Sequence, residues 1–171
     1  LSRDLVGHLP GGLAQVNVVL SIFFAGISGS STADAASQGK IFIEAQVKEG
    51  YDRSFSIAIT AVSAVLAVII PPSILMIVWG GTLSVSIGAL FLAGVIPGVL
   101  LCAAQMATVH VYAKLRNHPK YPRASFREVL TGIAIAVPAL MTPVIIIGGK
   151  VFGWFTATES AAIAVLYAAG L

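Results

Sequence analysis

The sequence predicts an all-α, polytopic membrane protein, and three observations support this fold class. Only 10% of the 171 residues are Asp, Glu, Lys or Arg, whereas about 25% of a soluble domain is charged. The mean hydropathy is +0.95 and 57% of the residues are apolar. Charged residues are missing from three long stretches, residues 5–33, 54–113 and 129–149. Because a soluble core needs a charged surface to cover it, this composition indicates a surface that faces lipid.

The charge-free stretches are long enough to cross a bilayer as helices. A hydrocarbon core of about 30 Å takes about 20 helical residues, so residues 54–113 hold two crossings and residues 129–149 hold one. Lipid cannot satisfy exposed backbone groups, which excludes open strands. We therefore predict helices over residues 13–25, 54–81 (interrupted at residues 71–73), 87–112 and 129–149, and from residue 158 onward.

The basic residues predict how the chain is oriented. Five of the ten lie in one loop between apolar stretches, namely Lys114, Arg116, Lys120, Arg123 and Arg127. Loops rich in Lys and Arg stay in the cytoplasm, so residues 40–53 are expected on the same side, as a solvated helix or loop, and Lys150 on the other. The net charge of +3 then reflects a lipid surface and not a nucleic acid as partner.

The first candidate site is the small, polar stretch of residues 28–34, which directly follows an apolar helix. It contains Ser28, Gly29, Ser30, Ser31 and Asp34. Glycine permits a broken or re-entrant backbone, which leaves carbonyl and hydroxyl oxygens free to bind a hard cation such as Na⁺. Alternatively, these residues only cap the next helix. A carboxylate deep in the membrane would favour the binding role.

The second candidate site is the sequence Pro71, Pro72 and Ser73 within an uncharged apolar run. Two prolines remove two backbone donors, so the helix must kink or unwind there. Discontinuous helices of this kind mark the binding sites of transporters, although plain kinks also occur in membrane helices. Thr60 and Ser63, on the helix before the break, could add oxygen ligands or bond to their own backbone or a neighbouring helix.

Other motifs indicate architecture and not catalysis. Thr156 and Glu159 have the spacing of a capping box, and Gly94 and Gly98 fit a face for close helix packing. The three histidines lack metal-ligand spacing, and the single Cys102 has no partner typical of a nucleophile. The sequence therefore predicts neither an enzyme nor a cofactor.

These residues, taken in order, resemble the large membrane subunit (DctM type) of the tripartite ATP-independent periplasmic (TRAP) transporters. The resemblance covers essentially the whole chain. It rests on residues 7–17 (GHLPGGLAQVN), 24–30 (FAGISGS) with Ala33 and Asp34, 49–51 (EGY), 69–73 (IIPPS), Gly88 with 90–98 (LFLAGVIPG), and 155–159 (FTATE). The family usually has Gly-Pro just before IIPPS, where this chain has Ala67 and Val68, which leaves the geometry around Thr60 and Ser63 less defined.

The resemblance implies an elevator-type ion transporter built from two inverted repeats with re-entrant hairpins. Residues 1–155 would form most of the first repeat and residues 156–171 the opening helix of the second, as a fragment of a longer chain. It further implies a multi-pass protein of the bacterial inner membrane that imports an organic acid with Na⁺ as coupling ion. The partners would be a small membrane subunit and a periplasmic solute-binding protein.

By the same resemblance, the cation and substrate region would include Ser28, Gly29, Ser30, Asp34, Pro71, Pro72 and Ser73, with Ser28, Ser30 and Asp34 as sodium ligands. The alternative from another class is a structural or assembly subunit of a membrane complex, in which the polar breaks are only packing kinks.

Overall fold

The computed structural model describes residues 1–119 and 121–170, so Lys120 and Leu171 lie outside the described residues. This part of the chain is helical, with short connections and no strand. The helices are α1 (Ser2–Val6), α2 (Gly12–Ser28), α3 (Ser31–Lys48), α4 (Arg53–Ala64), α5 (Leu66–Ile69), α6 (Ile74–Thr82), α7 (Ile87–Arg116), α8 (Phe126–Val151) and α9 (Ala157–Ala169).

Three apolar segments are long enough to cross a membrane, which confirms the predicted fold class. They are Arg53–Thr82 (α4 to α6), Ile87–Arg116 (α7) and Phe126–Val151 (α8). Pro138 and Pro143 lie inside α8, and prolines are tolerated within membrane helices where other groups satisfy the carbonyls that they free. Two capping boxes begin the last helices, Ser125 with Glu128 for α8 and Thr156 with Glu159 for α9, and the second of these was predicted.

Helices α2 and α3 form a hairpin whose two outer ends lie at the same end of the molecule as the basic loop. The amide of Gly12, at the start of α2, donates to the carbonyl of Pro119 (3.2 Å). The hydroxyl of Tyr121 donates to Glu49, just after α3. Each arm is about 26 Å long at 1.5 Å per residue. The two outer ends of the hairpin therefore lie together near the basic loop, and its tip lies at the other end of the two arms.

The sequence did not predict that residues 31–48 form a continuous arm of this hairpin. Lys40, Glu44 and Lys48 are spaced four residues apart and are all exposed, whereas Asp34, Gln38 and Gln46 are buried. Because residues four apart share a helix face, α3 has one charged face and one buried polar face. Residues 40–48 of the predicted solvated segment are thus the outer half of this longer helix.

Candidate functional site

The candidate site is the contact between the hairpin tip and the break after α5. The carbonyl of Gly29 accepts a hydrogen bond of 3.2 Å from the amide of Ile74. Gly29 has a φ of +60°, and a Cβ atom at this position would lie 2.7 Å from the carbonyl oxygen of Pro72. Only glycine fits both the left-handed backbone and the close approach. The tip residues 28–30 and the break residues 71–73 are therefore brought together.

Four helix ends converge at this contact. The C-terminal ends of α2 and α5 and the N-terminal ends of α3 and α6 all lie within residues 28–31 and 69–74. Helix C-termini carry partial negative charge and unpaired carbonyls, and N-termini carry partial positive charge and unpaired amides. The contact can consequently attract a cation on one set of helix ends and an anion on the other.

Asp34 is the buried charge of the site. Its side chain is 1% exposed, and its Oδ1 accepts a short hydrogen bond from the hydroxyl of Ser28. Its Oδ2 is buried and has no hydrogen-bond partner among residues 1–119 and 121–170, and within these ranges no basic side chain forms an ion pair with Asp34. Carboxylate and hydroxyl oxygens are hard ligands of the kind that Na⁺ prefers, so Ser28 and Asp34 fit a sodium ion.

Ser30 has a capping role. It is the N-cap residue of α3, with an extended backbone, and its hydroxyl accepts from the amide of Ala33 (3.4 Å). Its Oγ also lies 3.1 Å from Oγ1 of Thr32. Ser31 is the first residue of α3. The stretch therefore combines both interpretations, because Ser30 caps the helix while Ser28 holds the buried carboxylate.

The break itself is buried. Pro71, Pro72 and Ser73 are all excluded from solvent, and the hydroxyl of Ser73 donates to the carbonyl of Val68 (2.8 Å). This hydrogen bond satisfies one of the carbonyls that the prolines leave without a helical partner. On the far side, Gly94 of α7 lies so close that an added Cβ would overlap the carbonyl oxygen of Ile69, which confirms the predicted packing face.

Two small cavities flank the contact between tip and break. One, of about 160 Å³, is lined by Ser28, Gly29, Pro72 and Ser73 together with apolar residues of α6 to α9. The other, of about 230 Å³, is lined by Gly29, Ser30, Ser31, Thr32 and Val68 together with Ile74 and Leu75. Every candidate residue of the tip and the break except Asp34 and Pro71 thus borders a cavity.

Thr60 and Ser63 do not line these cavities, because their hydroxyls belong to a polar layer between the hairpin and α4. Thr60 accepts from Nδ2 of Asn17 (2.7 Å) and donates to the carbonyl of Ser56 (2.8 Å). Ser63 donates to the carbonyl of Thr60 (3.1 Å), and its Oγ lies 3.1 Å from that of Ser21. The structure therefore supports the interpretation that these hydroxyls bond to their own backbone and to neighbouring helices.

The sequence analysis missed Asn17, Ser21 and Gln38, which complete this layer. Ser21 donates to Oε1 of Gln38 (3.3 Å) on the other arm, and all three side chains are buried. A signal was present: Asn17 and Ser21 are four residues apart in an apolar helix, and Gln38 follows Asp34 by four. This spacing puts each pair on one helix face.

These features together define a polytopic membrane protein with discontinuous helices and a buried polar site where they meet. The family described as "Tripartite ATP-independent periplasmic transporter, DctM component" matches residues 1–171. The chain therefore belongs to the DctM family of TRAP transporter large permeases, a family of transporter components and not of enzymes.

Relatives within the family carry several substrate names. The sialic acid TRAP transporter large permease protein SiaM of Vibrio cholerae is 42% identical over 98% of this chain and 39% of its own length. The C4-dicarboxylate TRAP transporter large permease protein DctM of Pseudomonas aeruginosa is 42% identical over 96% of this chain and 38% of its own. The ectoine TRAP transporter large permease protein TeaC of Halomonas elongata is 40% identical over 95% and 38%. The chain thus spans about two fifths of these relatives.

Proposed function

We propose that this chain is part of a secondary active transporter that couples the uptake of a small, carboxylate-bearing solute to the entry of Na⁺. The proposal depends above all on Asp34, a buried carboxylate with an unpaired oxygen at the tip of a hairpin that meets a broken helix. A lone charge in apolar surroundings is costly and is typically retained for function. The relatives are named as permeases, which supports transport over a purely structural role.

The chemistry of the contact suits both Na⁺ and a carboxylate-bearing solute. Sodium would be held by hard oxygens, namely Ser28 Oγ, the Asp34 carboxylate and carbonyls at the C-terminal ends of α2 and α5. Ser30 is the third proposed ligand, and its hydroxyl would have to give up part of its capping role. The N-terminal ends of α3 and α6 would receive the carboxylate of the solute, because their partial charge is positive.

The proposal extends to the assembly. The protein would act in the bacterial inner membrane with a small membrane subunit and a periplasmic solute-binding protein, which the family description supports. Residues 1–155 would supply most of the first inverted repeat of an elevator-type transporter and residues 156–171 the start of the second. The binding protein would select the organic acid.

The test is the sodium dependence of uptake by the full-length permease, reconstituted with its partners. Asp34→Asn keeps the shape of the side chain but removes its charge, and Ser28→Ala removes the hydroxyl that bonds to it. We expect each to raise the half-saturating sodium concentration by about tenfold, which corresponds to about 1.4 kcal/mol. The control is Glu44→Gln, an exposed carboxylate on the same helix, which should leave it unchanged. Unchanged sodium dependence in Asp34→Asn, at equal protein level, would overturn the proposal.

A further inference from the structure

The broken helix has a second irregularity that its prolines do not explain. Helix α4 ends at Ala64 and α5 begins at Leu66. Around Val65 the hydrogen bonds span three residues instead of four, from the amide of Val65 to the carbonyl of Val62 (3.2 Å) and from Val68 to Val65 (3.0 Å). Residues 62–68 contain neither Gly nor Pro, and Pro71 and Pro72 disturb the carbonyls four residues before them, those of Ala67 and Val68, which lie beyond Val65. Within the segment only Ser63 offers a local cause, because its hydroxyl bonds back to the carbonyl of Thr60 (3.1 Å) and such bonds often bend helices. A second cause comes from outside the segment.

A side chain of α7 reaches into the helix at this point. Gln105 is 5% exposed, and its Nε2 donates a hydrogen bond of 3.1 Å to the carbonyl of Val62. A carbonyl that bonds to a neighbouring side chain is drawn away from its own helix, which is a recognised cause of kinks. In the membrane interior, such a bond has no competition from water. Gln105 is thus the structural partner of the irregularity at Val65.

A change of helix direction at Val65 would move the break. Pro71 is six residues further on, about 9 Å along the helix axis. A change of about 10° at Val65 would therefore move Pro71 by about 1.5 Å relative to the hairpin tip. Ion-ligand distances are defined to about 0.2 Å, so a shift of this size would disturb a cation site built from the tip and the break.

We propose that Gln105 is a positioning residue for the cation site. By holding the carbonyl of Val62, it sets the direction of α5 and so places Pro71 to Ser73 under Gly29. This inference rests on the proposed function, because it assumes that the tip and the break bind Na⁺. Gln105 lines neither of the two cavities beside the tip and the break, so its effect would pass through the backbone of α5.

Gln15, whose side chain bonds to the residue next to Gln105, provides a matched control. Nε2 of Gln15 donates to the carbonyl of Met106 (3.0 Å), and Gln15 is 1% exposed. This bond has the same chemistry and nearly the same length, but it joins α2 to a regular part of α7. Loss of either amide should lower stability by a similar amount, whereas only loss of Gln105 should move the break.

The experiment is a sodium titration of the thermal stability of the purified full-length permease, with choline replacing Na⁺ at constant ionic strength. We expect Gln105→Met to raise the midpoint of sodium stabilisation at least about threefold and Gln15→Met to leave it unchanged. Gln105→Asn is a second variant, because its amide is one methylene too short to reach Val62, and it should behave like Gln105→Met. Equal midpoints in all three variants and the wild type would overturn the positioning role. If Na⁺ did not stabilise even the wild type, the proposed function itself would fail and this inference with it.

Discussion

The side-chain amide of Asn17 donates a hydrogen bond of 2.7 Å to the hydroxyl of Thr60, and both residues are almost fully excluded from solvent. One helical turn along, the hydroxyl oxygens of Ser21 and Ser63 lie in contact at 3.1 Å. These two pairs join the first arm of the hairpin to α4. In an apolar environment, where hydrophobic packing contributes little to helix association, such contacts help to set how helices dock.

The first prediction concerns the coupling between Asn17 and Thr60. Asn17→Leu and Thr60→Val remove the partners with little change in volume, so a double-mutant cycle isolates their interaction. We expect a coupling energy of about 0.6 kcal/mol, and no more than about 1.7 kcal/mol, as for other hydrogen bonds between membrane helices. The measurement is reversible unfolding of the full-length protein in mixed micelles.

The control for this cycle is Thr108→Val. Thr108 is exposed on α7 and its hydroxyl donates to the carbonyl of Ala104 in its own helix (2.8 Å). The effects of Thr108→Val and Asn17→Leu on the free energy of unfolding should be additive. Additivity of Thr60→Val with Asn17→Leu as well would show that the amide and the hydroxyl do not stabilise the hairpin contact.

The sequence predicted the elements of the site better than their arrangement. The break at Pro71 and Pro72 follows from proline chemistry alone, and the tip at Gly29 follows from a glycine between hydroxyl residues after an apolar helix. Both are local signals. The contact between the carbonyl of Gly29 and the amide of Ile74 joins residues 45 positions apart (74 − 29), and no local pattern encodes it.

The role of Thr60 and Ser63 shows a second limit of the sequence. A buried hydroxyl on a helix can bind an ion, its own backbone or a neighbouring helix, and the choice depends on what lies opposite. Here Asn17 and Ser21 lie opposite. The irregular hydrogen bonding at Val65 is a third case, because the side chain that accompanies it comes from Gln105 on another helix.

The second prediction contrasts two helical glycines. An added Cβ at Gly94 would overlap the carbonyl oxygen of Ile69 and meet Cε of Met76 at 2.5 Å, whereas the nearest atom to one at Gly39 is 3.9 Å away. Alanine is preferred over glycine within a helix by about 1 kcal/mol. Gly39→Ala should therefore keep or raise the melting temperature, while Gly94→Ala should lower it and reduce uptake. A Gly94→Ala protein as stable and active as the wild type would contradict the close packing of α7 on the break.

The third prediction concerns orientation. The hydroxyl of Tyr112 donates to Asp52 (2.8 Å), which places the segment before α4 at the same end as the basic loop. That end should be cytoplasmic. In a full-length protein from which every native cysteine, including Cys102, has been removed, a membrane-impermeant maleimide added to intact cells should label Thr82→Cys but not Asn117→Cys. Both positions are exposed, so permeabilised cells should show labelling at each. The reverse pattern in intact cells would invert the orientation.

The last prediction is a pH dependence in the loop that holds the outer ends of the hairpin. The ring of His118 stacks on Tyr51, with 4.1 Å between centroids. Burial lowers the pKa of His118 below its usual 6.5, the charge of Arg116 acts in the same direction, and Asp52 opposes them. Burial and the neighbouring Glu49 raise the pKa of Tyr121, in the same loop, to about 12, so its hydroxyl remains a donor at neutral pH.

The sign follows from the lowered pKa of His118. The unfolded chain takes up a proton near pH 6.5 while the folded loop resists it, so the folded state loses stability as the pH falls below about 6.5. Above about pH 6.5 the ring of His118 is neutral in the folded and unfolded states, so its stacking on Tyr51 costs no proton release. His118→Phe keeps an aromatic ring but cannot be protonated. The melting temperature of the full-length wild type should therefore fall further between about pH 7.5 and about pH 5.5 than that of His118→Phe. Equal falls in the two proteins would show that protonation of His118 does not weaken the contact between the loop and the hairpin.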